Sequence, residues 1–509
     1  MIKKLGVIAL SASLFFSGVS TIAASADGNS QVNNIDDNGG KARNIIYMIP
    51  DGFNADYATN YRHFKGEDAA WDDHLKGMYT TYSADSNITD SAAAGTAMST
   101  GVKTNNGMIG LDPEGNPQQT ILEASQDKDM STGLVATSTI THATPAAFGA
   151  HVDDRNKEPE IAQQLIDNEI DVLLGGGKNN FLPESEGGNQ AEANVLQQAE
   201  EQGYQLIENR NQLLEADIDL DSEKLLGLFA DEAMSPELHR NTDEEPSLAE
   251  MTQTAIDTLK KDEDGFFLMV EGSQIDWAGH DNDAAWAMTD VGAFEEAVQA
   301  AVDFAEEDGN TLVVIGGDHE TGGMTVGANG SGTANPELLQ SVTAIGANIA
   351  EELNEDRSNA NEVVSKYTEM ELSEEEIQSI QEAEDPKMAI NTVISSKANV
   401  GWTSTNHTGV DIPVYAYGPG ADQFSGSLDN TDLPKIIAEA AGIEFGGGAI
   451  SKNQSEEQGQ SKEMMYTVKS GDTLFEIGLQ YNYLWTTLQE INQFPNPDLI
   501  YPGDEVYFK

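Results

Sequence analysis

Four short apolar runs, each closing on an acidic, hydroxyl or imidazole side chain, constrain this chain more than any other feature. Asn44-Ile45-Ile46-Tyr47-Met48-Ile49 ends in Pro50-Asp51-Gly52, and Thr132-Gly133-Leu134-Val135-Ala136-Thr137 leads into Thr141-His142-Ala143-Thr144-Pro145. Gly265-Phe266-Phe267-Leu268-Met269-Val270 ends in Glu271-Gly272, and Thr311-Leu312-Val313-Val314-Ile315 in Gly316-Gly317-Asp318-His319. Such continuous runs suit strands buried on both faces. Between them, stretches such as Ala249 to Lys260 and Val291 to Glu307 carry apolar residues at helical spacing. Strand, loop and helix in alternation predict an α/β fold, a three-layer sandwich with a large, mainly parallel sheet flanked by helices. Ligands of such sheets collect beyond the carboxyl ends of the strands. One carboxylate there is more often a turn former or a cap, but four coinciding strand ends point to a site. Oxygen ligands mixed with imidazoles suit zinc together with a harder ion such as magnesium.

Thr89-Asp90-Ser91 opens a run of small residues, Ala92 to Gly101, that reads as a tightly packed helix. On local sequence Ser91 is an ordinary N-cap. The alternative is a nucleophilic oxygen, placed where free N–H groups and the helix dipole favour an anion. Asp276 and His280 are four apart, so a helical turn there projects both from one face as a ligand pair. His407 stands shortly before the strand-like Pro413 to Tyr417. Arg155 reads either as a surface ion pair with Asp153 or Asp154, which the local sequence favours, or as a fork gripping phosphate oxygens. His63, His74 and His239 lie in polar contexts and read as surface residues.

The 26 Lys and Arg against 87 Asp and Glu give a formal net charge of -61. That field repels nucleic acid and anionic membrane, and it requires any anion site to supply its own positive charge from metal or Arg. The acid excess is consistent with a surface adapted to salt, which activity measured across sodium chloride concentrations checks. Met1-Ile2-Lys3-Lys4, the apolar Leu5 to Val19 and Ala24-Ser25-Ala26 form a secretory signal, residues 1–26. No other run is long enough to span a bilayer. The chain has no cysteine, which excludes disulfides, thiolate ligands and a lipidated Cys anchor. There is no Gly-x-Ser-x-Gly elbow, and Gly175-Gly176-Gly177-Lys178 lacks the Walker spacing and reads as a strand-ending turn. The acidic stretches around Pro183 to Arg240 and Gly327 to Lys397 read as peripheral insertions.

From about Asn44 to Glu444 these residues resemble the alkaline phosphatase family. The resemblance rests on Pro50-Asp51-Gly52, Thr89-Asp90-Ser91-Ala92-Ala93, His142-Ala143-Thr144-Pro145-Ala146, Val270-Glu271-Gly272, Asp276 with His280, Gly317-Asp318-His319-Glu320 and His407-Thr408-Gly409. It implies that Ser91 is a nucleophile that becomes phosphorylated and that Arg155 clamps the phosphoryl group, reversing the local preference for an ion pair. It assigns Asp276, His280 and His407 to one zinc, and Asp51, Asp318 and His319 to a second that also binds the Ser91 oxygen. Asp51 then bridges to a magnesium completed by Thr144 and Glu271. Two metals roughly 4 Å apart stabilise the attacking and leaving oxygens of an in-line displacement together. Three positions depart from some relatives. His142 stands in place of an aspartate near the magnesium, Trp277 in place of a Lys or His that contacts phosphate through water, and Glu320 in place of a histidine behind the ligands. The family is often dimeric, so the resemblance allows a homodimer.

Residues 27–445 thus read as the catalytic domain and 446–463, rich in Gly, Ser, Gln and Glu, as a flexible linker. Residues 464–509 read as strand, two helices and strand, the latter helices near Leu474 to Tyr481 and Thr486 to Asn492. With Ser470-Gly471-Asp472-Thr473-Leu474 and Asn496-Pro497-Asp498-Leu499-Ile500-Tyr501-Pro502-Gly503, this small α+β βααβ unit resembles a LysM module. That resemblance implies binding to peptidoglycan or another N-acetylglucosamine glycan. The expected whole is a secreted, wall-tethered phosphomonoesterase acting on small phosphate monoesters. A phosphodiesterase on the same metals is the nearer rival, and a non-catalytic wall or metal-binding protein the more distant one. A peptidoglycan hydrolase has no matching catalytic signature in the chain.

Overall fold

The computed structural model describes residues 41–446 apart from 221 and 222, and part of the chain between 464 and 508. The expected signal sequence and most of the expected linker lie outside the described residues. Ten strands form one sheet: β1 Asn44–Pro50, β2 Leu75–Thr80, β3 Ser131–Thr139, β4 Val172–Gly176, β5 Tyr204–Ile207, β6 Lys224–Leu228, β7 Phe266–Gly272, β8 Thr311–Ile315, β9 Ile412–Tyr417 and β10 Gly426–Asp429. Their order is β10-β2-β9-β8-β1-β7-β3-β4-β6-β5. The pairings are parallel except those of β9, which runs antiparallel to both β8 and β2. The helices that matter most for the site are α1 Ser91–Thr100, α2 Ala143–Gly149, α3 Leu248–Leu259, α4 Gln274–His280, α5 Ala284–Asp308, α6 Gly346–Glu351, α7 Pro386–Lys397 and α8 Leu433–Ala441.

Alternate residues of each central strand enter opposite cores, which makes the fold three layers. Ile46, Met48, Leu268, Val270, Val313 and Ile315 pack with Met251, Ile256 and Leu259 of α3 and Val291, Phe294 and Val298 of α5. Ile45, Tyr47, Ile49, Phe267, Met269 and Val314 pack on the other face with Met98 of α1, Phe148 of α2 and Ile437 of α8. Each fully buried side chain of this size stabilises the fold by roughly 1.5–3 kcal/mol. Both faces being covered explains why these strands read as unbroken apolar runs rather than alternating ones.

The helix starts follow side-chain capping. Ser247 and Glu250 form a reciprocal capping box at α3, and Asp283 caps α5. At α1 the cap is Asp90, which accepts from Ala93 N, and Ser91 is the first helical residue. The local N-cap assignment of Ser91 is therefore off by one: the carboxylate takes the orphan N–H and the hydroxyl is released from capping.

In the C-terminal region, β11 Met464–Thr467 pairs antiparallel with β12 Glu505–Phe508, and α9 spans Trp485–Asn492. Val468, Leu474, Ile477, Leu488 and Val506 make its small core. Most of the helix expected from Leu474 to Tyr481 lies outside the described residues. Among the described residues no helix is long and apolar enough to cross a membrane.

Candidate active site

The four strands that close on acidic, hydroxyl or imidazole residues are neighbours in the middle of the sheet, in the order β8-β1-β7-β3. Their carboxyl ends therefore bring Asp318 and His319, Asp51, Glu271 and the approach to α2 to one edge. His407 reaches the same edge by the opposite route. It precedes β9, and because β9 is antiparallel its amino end lies beside the carboxyl ends of the others. Gly52, at φ 77°, makes the turn after β1, and a Cβ there would lie 2.8 Å from the Cα of Asp276. The missing side chain lets α4 pack directly on the Asp51 loop.

Three nitrogen and oxygen groups converge at the first cluster. Asp276 Oδ2 is 3.4 Å from His280 Nε2, and Asp276 Oδ1 is 3.5 Å from His407 Nε2. The two Nε2 atoms are 3.2 Å apart. His280 Nδ1 faces the Thr405 carbonyl at 2.7 Å and His407 Nδ1 faces the Thr89 carbonyl at 2.9 Å. Each Nδ1 must carry a proton to make that bond, so both Nε2 atoms are aimed inward, the arrangement of metal-binding imidazoles. The hydrogen bond to Asp276 raises the pKa of His280 to about 9. Burial opposes ionisation of Asp276, yet the bond to His280 and the nearby imidazoles hold its carboxyl below the usual range. A positive charge belongs between these groups.

Ser91 Oγ, buried at the start of α1, is 3.2 Å from His319 Nε2. The same nitrogen is 3.2 Å from Asp318 Oδ2 and 3.6 Å from Asp51 Oδ1. Asp318 Oδ1 accepts from the Gly52 and His319 N–H groups, which leaves its other oxygen directed at the site. Thr321, which the sequence reading did not single out, donates to Asp276 Oδ1 and lies 3.3 Å from His319 Nδ1, tying the two clusters together. The loop after β8 that holds Asp318 and His319 also holds Thr321, and nothing else in the sequence marks it.

A third, oxygen-rich group lies beside Asp51. Thr144 Oγ1 is 3.5 Å from Asp51 Oδ2, and Ser138 Oγ donates to Glu271 Oε2 at 3.2 Å. Ligand atoms of Asp51, His142 and Glu271 lie within 4.8 Å of one another, as do those of Asp51, Asp276 and His319, and those of Asp276, His280 and His407. Burial raises the pKa of Glu271 to about 7, and burial together with Asp276 does the same for Asp318. Asp51 is raised well above the carboxylate range by burial and then by Asp318. Asp51 Oδ1, Glu271 Oε1 and Asp318 Oδ2 are buried without a hydrogen-bond donor. Bare carboxylate oxygens are costly to bury unless a cation satisfies them, so the residues fit a set of bound metal ions.

Arg155 does not pair with Asp153 or Asp154. Asp153 pairs with Lys157, and Arg155 Nη1 donates to Asp90 Oδ2 at 3.0 Å while Nη2 lies 3.1 Å from His142 Nε2. The carboxylate that caps the Ser91 helix thus also holds the arginine beside it. Burial, and then the Arg155 charge, lower the pKa of His142 to about 3, so the ring is neutral. Trp277 packs edge-on against His142, with ring centroids 5.8 Å apart. Glu320 accepts from Thr408 and from Met324 N, bracing the His407 segment rather than reaching the cluster.

Residues 42–443 match the family model described as alkaline phosphatase. The chain belongs to the alkaline phosphatase family. Alkaline phosphatase 3 of Bacillus subtilis (strain 168) is 41% identical over 465 residues, covering 86% of this chain and 97% of that protein. Among solved structures, the cold-active alkaline phosphatase of the psychrophile Shewanella sp. is similar with a TM-score of 0.71 at 33% identity, covering 78% of this chain and 99% of that one. A histidine-to-glutamate variant of the TAB5 alkaline phosphatase, with Mg bound in its M3 site, is similar with a TM-score of 0.61 at 30% identity, covering 79% and 99%. As a member of the alkaline phosphatase family the chain is a metal-dependent phosphomonoesterase, and its C-terminal residues 466–509 match the LysM domain.

Proposed function

We propose that this phosphatase hydrolyses small phosphate monoesters through a phosphoserine at Ser91. The observation that carries the reading is the position of Ser91 Oγ, freed from capping by Asp90, 3.2 Å from His319 Nε2 and on the same helix start that Asp90 links to Arg155. Asp276, His280 and His407 would hold one zinc, Asp51, Asp318 and His319 a second, and Asp51, Glu271 and Thr144 a magnesium. His142 is neutral and within ligand reach of the third set, which makes it a further donor there. Bound in these sets, the ions supply the positive charge that stabilises attacking and leaving oxygens in an in-line displacement.

The chain's own groups do the rest. The free N–H groups of α1 and its dipole draw the phosphoryl oxygens towards Ser91. Arg155, steadied by Asp90, presents its guanidinium to two of those oxygens. Ser91 Oγ displaces the alcohol, and water then displaces Ser91 from the opposite side, so configuration at phosphorus is retained overall. Trp277 offers no positive charge to bound phosphate where a Lys would, which favours product release. The LysM domain tethers the secreted enzyme to peptidoglycan or another N-acetylglucosamine glycan, and the acidic surface keeps it soluble in salt.

Phosphate release from nitrophenyl phosphate by wild type and Ser91→Ala tests this, with bis-nitrophenyl phosphate run alongside. The variant is expected to lose about a thousandfold or more, the scale of removing a nucleophile. Acid-quenched wild type is expected to carry phosphate on Ser91 by mass spectrometry. Equal rates in the two proteins refute the nucleophile, and faster turnover of the diester refutes the monoester preference.

A further inference from the structure

The stretch from 327 to 397 reads in sequence as a peripheral insertion, yet one of its helices is bonded to the turn that follows His280. Lys387, Asn391 and Ser395 of α7 are spaced i, i+4 and i+8, so they share one helix face. Lys387 Nζ donates to Asp281 Oδ1 at 2.5 Å, Asn391 Nδ2 to the Asp281 carbonyl at 2.8 Å, and Ser395 Oγ to the Asn282 carbonyl at 3.2 Å. Asn391 and Ser395 are buried. Asn282 in that turn has φ 50°, a left-handed conformation that asparagine tolerates better than most other non-glycine residues.

The same contacts continue to the other imidazole. Asn282 Nδ2 donates to the Ser404 carbonyl at 2.9 Å, His280 Nδ1 to Thr405 O, and Trp402 Nε1 to Ser395 Oγ at 3.0 Å. A circuit therefore runs by hydrogen bonds from the His280 turn to α7 and on to Trp402, along the covalent backbone from Trp402 to Thr405, and by a hydrogen bond back onto the His280 ring. That backbone leads directly into His407. From below, Asp283 accepts from Gly346 N at 2.8 Å, and Gly346 leaves the space that Asn391 Oδ1 fills, since a Cβ there would lie 1.7 Å from that oxygen.

We propose that α7 is a positioning element for the Asp276, His280 and His407 cluster, with Asn391 as its central positioning residue, a role that rests on those three residues binding metal. Groups that orient metal-binding imidazoles act on affinity without touching the metal, typically by 10–100-fold. The contribution of Lys387 is smaller because its ion pair is partly exposed.

The test uses the full chain and zinc alone. After metal removal, zinc affinity is measured by competition with a chromophoric chelator for wild type, Asn391→Leu, Ser395→Ala and His280→Ala, and thermal melting in excess chelator checks each fold. Asn391→Leu keeps the branched shape and the number of side-chain heavy atoms and removes both polar atoms. It is expected to bind its weakest zinc about tenfold or more less tightly than wild type while melting normally without metal, with Ser395→Ala shifted in the same direction by less. Wild-type zinc affinity in both Asn391→Leu and Ser395→Ala overturns the proposal while leaving the ligand assignment intact if His280→Ala is weakened. Unchanged affinity in His280→Ala overturns both.

Discussion

At the scale of single residues, the site is a concentration of buried carboxyl groups, Asp51, Glu271, Asp276 and Asp318, whose charge calls for a cation. Burial pushes the carboxyls of Glu271 and Asp318 up to about 7, against ordinary values of 4.5 and 3.8. A folded-state pKa above the unfolded one means that the native state binds more protons between those values. Stability contributed by these groups is therefore full at the acid end and falls as pH rises from about 4 to about 7. Metal binding must displace the protons, so it releases acid and tightens as pH rises through the same window. Thermal melts of chelator-treated Glu271→Gln and wild type across that range check the sign. The variant is expected to gain on wild type towards pH 7, whereas a gain by wild type contradicts it. Asp90 shows how one residue carries two duties at this scale, closing the helix with one oxygen and holding Arg155 with the other.

At the scale of elements, the strands were the most legible part of the sequence, because burial on both faces writes an apolar run that no surface strand would tolerate. The four runs appear as β1, β3, β7 and β8, and the expected helices as α3 and α5, with α5 starting earlier, at Ala284. That early start was hidden because the first turns of α5 are buried nearly all round, so the amphipathic rhythm is weak there. Asp276 and His280 were legible as a pair since α4 needs only one turn to align them. Arg155 was not, because its partners Asp90 and His142 are distant in sequence and its acidic neighbours are close. Thr321 and the α7 face were equally silent: their partners, the Asp276 carboxylate and the turn after His280, lie far away in sequence, so nothing local marks them. Helix α1 contributes a prediction of its own. It is buried at every position, and at Gly95 a Cβ would sit 3.0 Å from Ala147 Cβ of α2. Gly95→Val is expected to force α1 and α2 apart and to cost about 1–3 kcal/mol as overpacking does, with a parallel loss of activity because Ser91 and Thr144 ride on those two helices. Chemical denaturation and phosphate release measure the two effects, and a variant of unchanged stability would show that the interface has slack.

At the scale of the whole molecule, catalysis and attachment are expected to be separable. A chain ending at Gly448 lacks the LysM domain but keeps every residue of the site, so it is expected to hydrolyse nitrophenyl phosphate at the full-length rate and to be lost from a cell-wall pull-down that retains the full chain. Equal retention of both would remove the glycan tether from the reading. The antiparallel strand β9 bears on how such a molecule comes into being. It lies between β8 and β2, so without it β2 and β10 have no hydrogen-bonded path to the rest of the sheet. It also brings His407 to Thr89, 318 residues away in sequence. Contacts that distant form late, after the loop-closure entropy has been met. Synthesis must therefore pass His407 before the proposed ligand set is whole, and metal uptake would report on completion: a chain interrupted before that residue would keep the paired ends of β1, β3, β7 and β8 but lack the imidazole that His407 adds to Asp276 and His280.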